Sequence, residues 1–196
     1  RPPRSTLFPY TTLFRSEYYK GVFAGIIIAC VIISIGVQMF QNSQLKSLLS
    51  IAVVDSNYDH DEQVEALQND FLAYAGTGDK HEVVDVDTSL LSGDDYNAVV
   101  KMTVVMGAGT ADMMFCGEET YKKYKQQEAF LSWKEILGDD YSKYEEYMTD
   151  DGRLDLEKCP NWEKYNMVYY SPVYAVVMSS SKNLENCIKF LEMMVQ

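Results

Sequence analysis

Residues 21–40 read GVFAGIIIACVIISIGVQMF, twenty positions with no formal charge and one amide, Gln38. As a helix, such a run rises about 30 Å, the hydrocarbon thickness of a bilayer. Apolar residues occupy all sides of it, so it has no polar face to turn towards water. The run is expected to be a transmembrane helix. Lys20 stands at its N-terminal edge and acidic sequence follows it. Basic residues are retained on the cytoplasmic side, which puts the C-terminal part outside. The expected order is a cytoplasmic stub at 17–20, a transmembrane helix at 21–40, a short polar linker at 41–50 and an extracytoplasmic domain at 51–196. The chain reads as a single-pass protein of the cell membrane.

The same run admits a second reading. Residues 27–30, IIAC, resemble a bacterial lipoprotein cleavage box with Cys30 as the lipidated residue. The apolar VIISIGV after Cys30 keeps the chain in hydrocarbon and favours the uncleaved helix. Either way the domain is tethered to the membrane. Ahead of the run, residues 6–16, TLFPYTTLFRS, carry neither a helical stripe nor a strand alternation. Written back as codons, they resemble a sequencing adapter read in one frame. Residues 1–16 are therefore set apart as non-native sequence and left out of the fold reasoning.

Charge is unevenly distributed. Residues 1–50 hold Arg1, Arg4, Arg15, Lys20 and Lys46 against Glu17 alone, a balance of +4. With −12 for the whole chain, residues 51–196 carry −16. Such a surface repels phosphate backbones, and no nucleic-acid partner is expected. The 146 positions from 51 to 196 suffice for one core.

SIAVVDS at 50–56 reads as a buried strand. Asp59 with Glu62 three positions on forms the pattern of a capping box. Val64, Leu67, Phe71 and Tyr74 then recur at helical spacing until Gly76. HEVVDVD at 81–87 is a second strand. Asp94 and Asp95 open a helix with Val99, Val100, Thr103 and Val104 on one side, ending at Gly107. ADMMFCG at 111–117 is a third strand, and Glu118 begins a polar helix to about Gln127. This β-α-β-α-β-α order predicts a mainly parallel sheet flanked by helices. SWKEIL is a short helix capped by Ser132, and DDYSKYEEYM reads as another, ended at Asp151 and Gly152. Residues 153–168 read as irregular. VYAVVMS at 173–179 is a strand of the same sheet. A terminal helix follows, with Leu184, Ile188, Leu191 and Val195 at intervals of four, three and four, and with Cys187 and Met194 also apolar.

Between Lys101 and Leu137 the chain resembles bacterial extracellular solute-binding proteins of the sugar and oligopeptide importers. The resemblance rests on a helix, the small turn with Gly107 and Gly109, Asp112, the strand from Met113 to Phe115, a helix, then Phe130 and Leu131. SSSKNLENCIKFLEMMV at the C-terminus resembles the way such proteins close a lobe. Together with SIAVVDS and its helix, the resemblance covers about residues 51–137 and 173–196. It implies a periplasmic-binding-protein-like α/β lobe, a small-molecule ligand and an importer permease as partner. Those proteins clasp ligand between two lobes. The residues between Leu137 and Val173 are too few for a second one, so this chain resembles a single lobe on a membrane anchor.

In an open α/β sheet, ligands sit beyond the carboxyl ends of the strands, beside free helix N-termini. The candidate ligand-binding residues are therefore Asp55, Ser56, Asn57, Asp87, Thr88, Gly117 and Glu118, with Tyr170 and Ser171 ahead of the last strand. The same residues also read as ordinary caps and turns. DSNYDHDE superficially resembles a calcium loop, but His60 stands where the sixth-position Gly is needed and Ala66 where the twelfth-position Glu is needed. No metal or other cofactor is expected. Beyond residue 50 there are three cysteines, Cys116, Cys159 and Cys187, which allow at most one internal bridge. No catalytic constellation emerges, and the chain does not read as an enzyme. Two functional readings stand: a solute-binding component linked to a transport system, and a ligand-free interaction subunit of a membrane protein complex.

Overall fold

The computed structural model describes residues 11–43 and 45–196, with side chains for 22–38 and from 45 onward. The chain divides into two compact units after Leu45. Helix α1 spans Thr11–Ser43. No proline lies between Pro9 and Pro160 to interrupt it. It takes in residues 11–16, which carry no stripe, and the stub at 17–20. The rest of the set-apart segment, 1–10, lies outside the described residues. Phe23, Ile27 and Ile33 on α1 are exposed. Among the described residues no helix is long and apolar enough to cross a membrane.

The second unit is an α/β layer structure. Its strands are β1 (Lys46–Val54), β2 (Glu82–Leu90), β3 (Met113–Cys116), β4 (Phe130–Leu131), β5 (Leu154–Asp155) and β6 (Tyr174–Met178). Its helices are α2 (Asp61–Ala75), α3 (Tyr96–Ala108), α4 (Glu118–Lys125), α5 (Trp133–Leu137), α6 (Trp162–Tyr165) and α7 (Leu184–Val195). The sheet order is β2-β1-β3-β6-β4, with β5 also on β6. β1 runs parallel to β2 and β3, in register Ile51 to Met113 and Val53 to Phe115. β6 is antiparallel to β3, β4 and β5. The sheet is thus mixed, and the expectation of a mainly parallel one is corrected. Parallel neighbours need a crossover that returns the chain to the same end. Val168 instead bridges Ser56 at the carboxyl end of β1, so the strand that follows sets off from that end and runs the other way.

Strand alternation sends side chains to two cores. Leu49, Ile51, Val53, Met113, Phe115, Ala175 and Val177 face α2, α6, α7 and the middle segment. Ala52, Val54, Met114, Cys116, Val176 and Met178 face α3 and α4. The middle segment is less regular than an α-helix but is not peripheral. Residues 138–147 form 3-10 turns where a helix was expected. Leu154, Leu156, Trp162 and Met167 fill the first core. The Trp133 indole donates to the Ala175 carbonyl at 2.9 Å, and Trp162 meets Phe115 edge-on at 5.7 Å.

Other element boundaries shift for local reasons. β1 begins at Lys46, inside the expected linker 41–50, because Leu49 is a core residue and Lys46 pairs with Glu82. α2 begins at Asp61 with His60 at its cap and no side-chain cap bond, so Asp59 lies one residue too early for the box. α3 is capped as expected by Asp95, whose carboxylate accepts from the Asn97 and Ala98 N–H groups. It runs past Gly107 to Ala108, and Gly109 at φ 62° supplies the left-handed turn. Ser132 caps α5 as expected. On α7 the buried residues are Cys187, Phe190, Leu191, Met193 and Met194, so the core face lies around Leu191 while Leu184 is exposed. Buried Asp112 accepts from the Ser50 N–H at 3.0 Å, the Ser181 hydroxyl at 2.8 Å and the Asn183 amide at 3.0 Å, fastening the entry to α7 against β1.

Candidate functional site

β1 and β3 are parallel neighbours, so their carboxyl ends open on the same edge of the sheet. Beyond them lies a cleft of ≈ 290 Å³. Five of the nine residues singled out from sequence line it: Asp55, Gly117, Glu118, Tyr170 and Ser171. Asp55 follows the last residue of β1 at φ 51°, a left-handed conformation that costs a non-glycine residue energy and persists only when the surroundings fix it. Its N–H donates to the Leu90 carbonyl at 2.9 Å, and its carboxylate accepts from the Ser92 N–H at 3.0 Å. Two strand ends therefore hold one carboxylate at the mouth of the cleft.

The floor is built by Gly117 and Tyr170. A Cβ on Gly117 would come within 3.2 Å of the Tyr170 ring, so glycine permits this approach. The Tyr170 hydroxyl donates to the Phe115 carbonyl at 3.3 Å. Burial, with Cys116 and Asp55 adding to it, pushes the phenol well above its usual pKa and keeps it a neutral donor. Gly117 also caps α4 without a side-chain bond. The first turn of α4 therefore presents N–H groups that have no acceptor within the helix.

Glu118 is not free. Its carboxylate accepts from Arg153 Nη1 at 2.5 Å and pairs with Lys122 at 3.0 Å, and these hydrogen bonds hold it below the usual carboxylate range. Arg153 Nε also donates to Asp151 at 2.7 Å. Its guanidinium lies 4.3 Å from the Tyr121 ring centre and 4.0 Å from that of Tyr174. The lining thus combines backbone donors with carboxylate acceptors and no lysine, arginine or histidine.

The other four candidates lie elsewhere. The Ser56 hydroxyl donates to the Thr88 carbonyl at 2.8 Å, which ties the ends of β1 and β2 together. The Asn57 N–H donates to the Met167 carbonyl at 2.8 Å. Asp87 accepts from the Ser89 N–H at 2.9 Å and faces Lys101 at 3.8 Å. Sequence reasoning missed Ser92, Glu119, Thr120 and Pro172. Glu119 and Thr120 were within reach, because they occupy the first turn of a helix whose start at Glu118 was read from the sequence. Ser92 enters through its backbone bond to Asp55, which leaves no mark in sequence.

Burial pushes the Cys116 thiol up to about 12, against a smaller opposing pull from Arg153, so it carries no thiolate at neutral pH. Cys159 and Cys187 are likewise buried free thiols. Among the described residues no group of three or more His, Cys, Asp or Glu side chains is placed to hold a metal ion. Comparison with protein-family models, with curated proteins and with solved structures gave no match.

Proposed function

We propose that this chain is a membrane-anchored, extracytoplasmic solute-binding-like domain with one periplasmic-binding-protein-like lobe, and that the cleft beyond β1 and β3 takes a small polar solute. The observation that carries this reading is the meeting of Asp55, Gly117, Glu118, Tyr170 and Ser171 on one concave surface. Backbone donors beside carboxylate acceptors suit a solute rich in hydroxyl or amide groups, which offers both partners. The lack of basic lining argues against an anionic one. The uncharged run at 21–40 supplies the tether, and Lys20 before it favours an external domain. An importer permease is the natural partner for such a component.

The test is a thermal-shift screen of the full chain in detergent against neutral sugars and short peptides. One class should raise the melting temperature as a native-state ligand does, and Glu119→Lys at the exposed cleft rim should abolish the shift. No shift with any solute would sink the reading. The interaction-subunit reading is kept because one face of α3 is apolar and uncovered: Tyr96, Val99, Val100 and Val104 are all exposed.

A further inference from the structure

One edge of β6 is shared by two short strands. β4 pairs with Val177 and Met178, and β5 pairs with Tyr174 and Ala175. Neither strand is long enough to cover the edge alone, and side chains fill the place where they meet. Trp133 enters it and donates its indole N–H to the Ala175 carbonyl. Beside Leu131, Trp133 and Val176 a cavity of ≈ 190 Å³ remains. An apolar cavity of about 150 Å³ can hold benzene, so this one has room for a ring with one small substituent. It shares no lining residue with the cleft beyond β1 and β3.

The chemistry of its walls is also different. Tyr121 and Phe130 both line it, with rings nearly parallel at 14° and centres 5.6 Å apart. Arg153 lines it too. Nε of that guanidinium donates to Asp151 and Nη1 to Glu118. Nη2 has no hydrogen-bond partner among the described residues, yet it is not among the polar atoms closed off from solvent. The side chain as a whole is only 11% exposed. An open donor in such a setting is screened little by water, so an acceptor that reaches it is held more strongly than at the surface.

We propose that this cavity is a second ligand site, and that it takes a small neutral aromatic amide. The ring lies against Phe130, Leu131 and Trp133, and the amide oxygen accepts from Nη2 of Arg153. Charge selects a neutral ligand. The guanidinium is already matched by two carboxylates, and Asp151 and Glu135 both line the cavity. An anion would meet those two, and a cation would meet Arg153 and Lys125. An amide offers the acceptor without net charge, and its own N–H groups can serve the carboxylates.

Benzamide is the probe and benzoate its charged counterpart, each titrated against the full chain in detergent by ligand-observed NMR. Benzamide should bind roughly tenfold more tightly, the effect of one like charge near the site. Glu135→Lys, at an exposed position, should narrow that preference by strengthening benzoate and should leave the melting temperature unchanged. Nuclear Overhauser effects locate the probe without any substitution, and those from the benzamide ring should reach the Phe130 and Trp133 rings. Glu119→Lys at the cleft rim should leave benzamide binding as it is, so loss of the solute reading for the cleft would not touch this site. No binding of benzamide up to its solubility limit, equal binding of benzoate, or a preference unmoved by Glu135→Lys would overturn the proposal. So would ring contacts away from Phe130 and Trp133, or binding lost in Glu119→Lys.

Discussion

Arg153 shows how one side chain can organise a corner of the molecule. Its side chain is 11% exposed, and its planar fork reaches Glu118 on one side and Asp151 on the other. The Tyr121 and Tyr174 rings both lie within 4.3 Å of the guanidinium carbon, contacts that the planar guanidinium makes better than a lysine ammonium. Arg153→Gln removes the charge and leaves Glu118 with Lys122, and Asp151 with Lys125 and Thr149, as their remaining partners. Because those carboxylates are about a third exposed, the cost should be below that of breaking a fully buried pair, roughly 2 kcal/mol. Chemical denaturation of the two proteins measures it, and an unchanged midpoint would show the stack to be decorative. The same cluster gives stability a pH dependence. Burial works to raise the Asp151 carboxyl, but hydrogen bonds from Thr149, Arg153 and Lys125 outweigh it and hold the pKa down to about 2. An unfolded aspartate titrates near about 3.9. The folded state therefore binds its proton later, and the stabilisation is complete above the unfolded value and lost as pH falls towards 2. With solvent screening discounted, this is on the order of 1 kcal/mol. Asp155, raised by its burial, acts in the opposite sense. Denaturation midpoints at pH 5 and near pH 2.5 should differ less in Asp151→Asn than in the parent protein.

At the scale of elements, α7 closes the structure. Leu191 is fully buried and Phe190 lies 5.7 Å from Phe115 of β3 and 6.3 Å from Phe71 of α2. Leu191→Ala deletes a core side chain where the surrounding sheet and helices cannot collapse freely, and should cost roughly 2–5 kcal/mol. A variant with the parent's denaturation midpoint would make α7 peripheral. The intervals Leu184, Ile188, Leu191 and Val195 announced this helix in sequence, yet the true core face is turned towards Cys187, Phe190 and Met194. The stripe misleads because α7 is apolar over more than half its circumference, and only the neighbours decide which part is covered. The opposite happens on α3. Val99, Val100, Thr103 and Val104 do share a side, but Ala98, Met102 and Val105 are the ones buried. The strand ends at Asp55 and Gly117 were legible because apolar runs stop there. The direction of β6 was not, since five consecutive buried residues carry no sign of orientation. Nor was the role of residues 153–168, whose core contacts come from isolated Leu, Trp and Met side chains without a period.

For the molecule as a whole, the boundary of the folded unit is the open quantity, and the structure moves it from residue 51 to Lys46. One buried side chain and two hydrogen bonds fasten the interval between those positions. Leu49 is fully buried in the first core. The Leu48 carbonyl accepts from the Asn186 amide at 2.7 Å, and the Ser50 N–H donates to Asp112 at 3.0 Å. The last two tie β1 to α7 and to the residue that precedes β3, so they join residues far apart in the chain. A fragment of residues 46–196 keeps all three and holds a core of its own. It should unfold in one cooperative transition, as single domains of this size do. A fragment of residues 51–196 loses the Leu49 side chain, worth roughly 2–5 kcal/mol by itself. It also leaves the Asn186 amide without its acceptor and Asp112 with one donor fewer. Against a margin of about 5–15 kcal/mol for a typical domain, the shorter fragment should unfold at a distinctly lower urea concentration, with weakened cooperativity if α7 loosens first. Urea titrations followed by tryptophan fluorescence suit the comparison, because Trp133 and Trp162 are both buried in the core that Leu49 shares. Coincident curves for the two fragments would mean that residues 46–50 are a linker after all, and that β1 starts where its uninterrupted apolar run does.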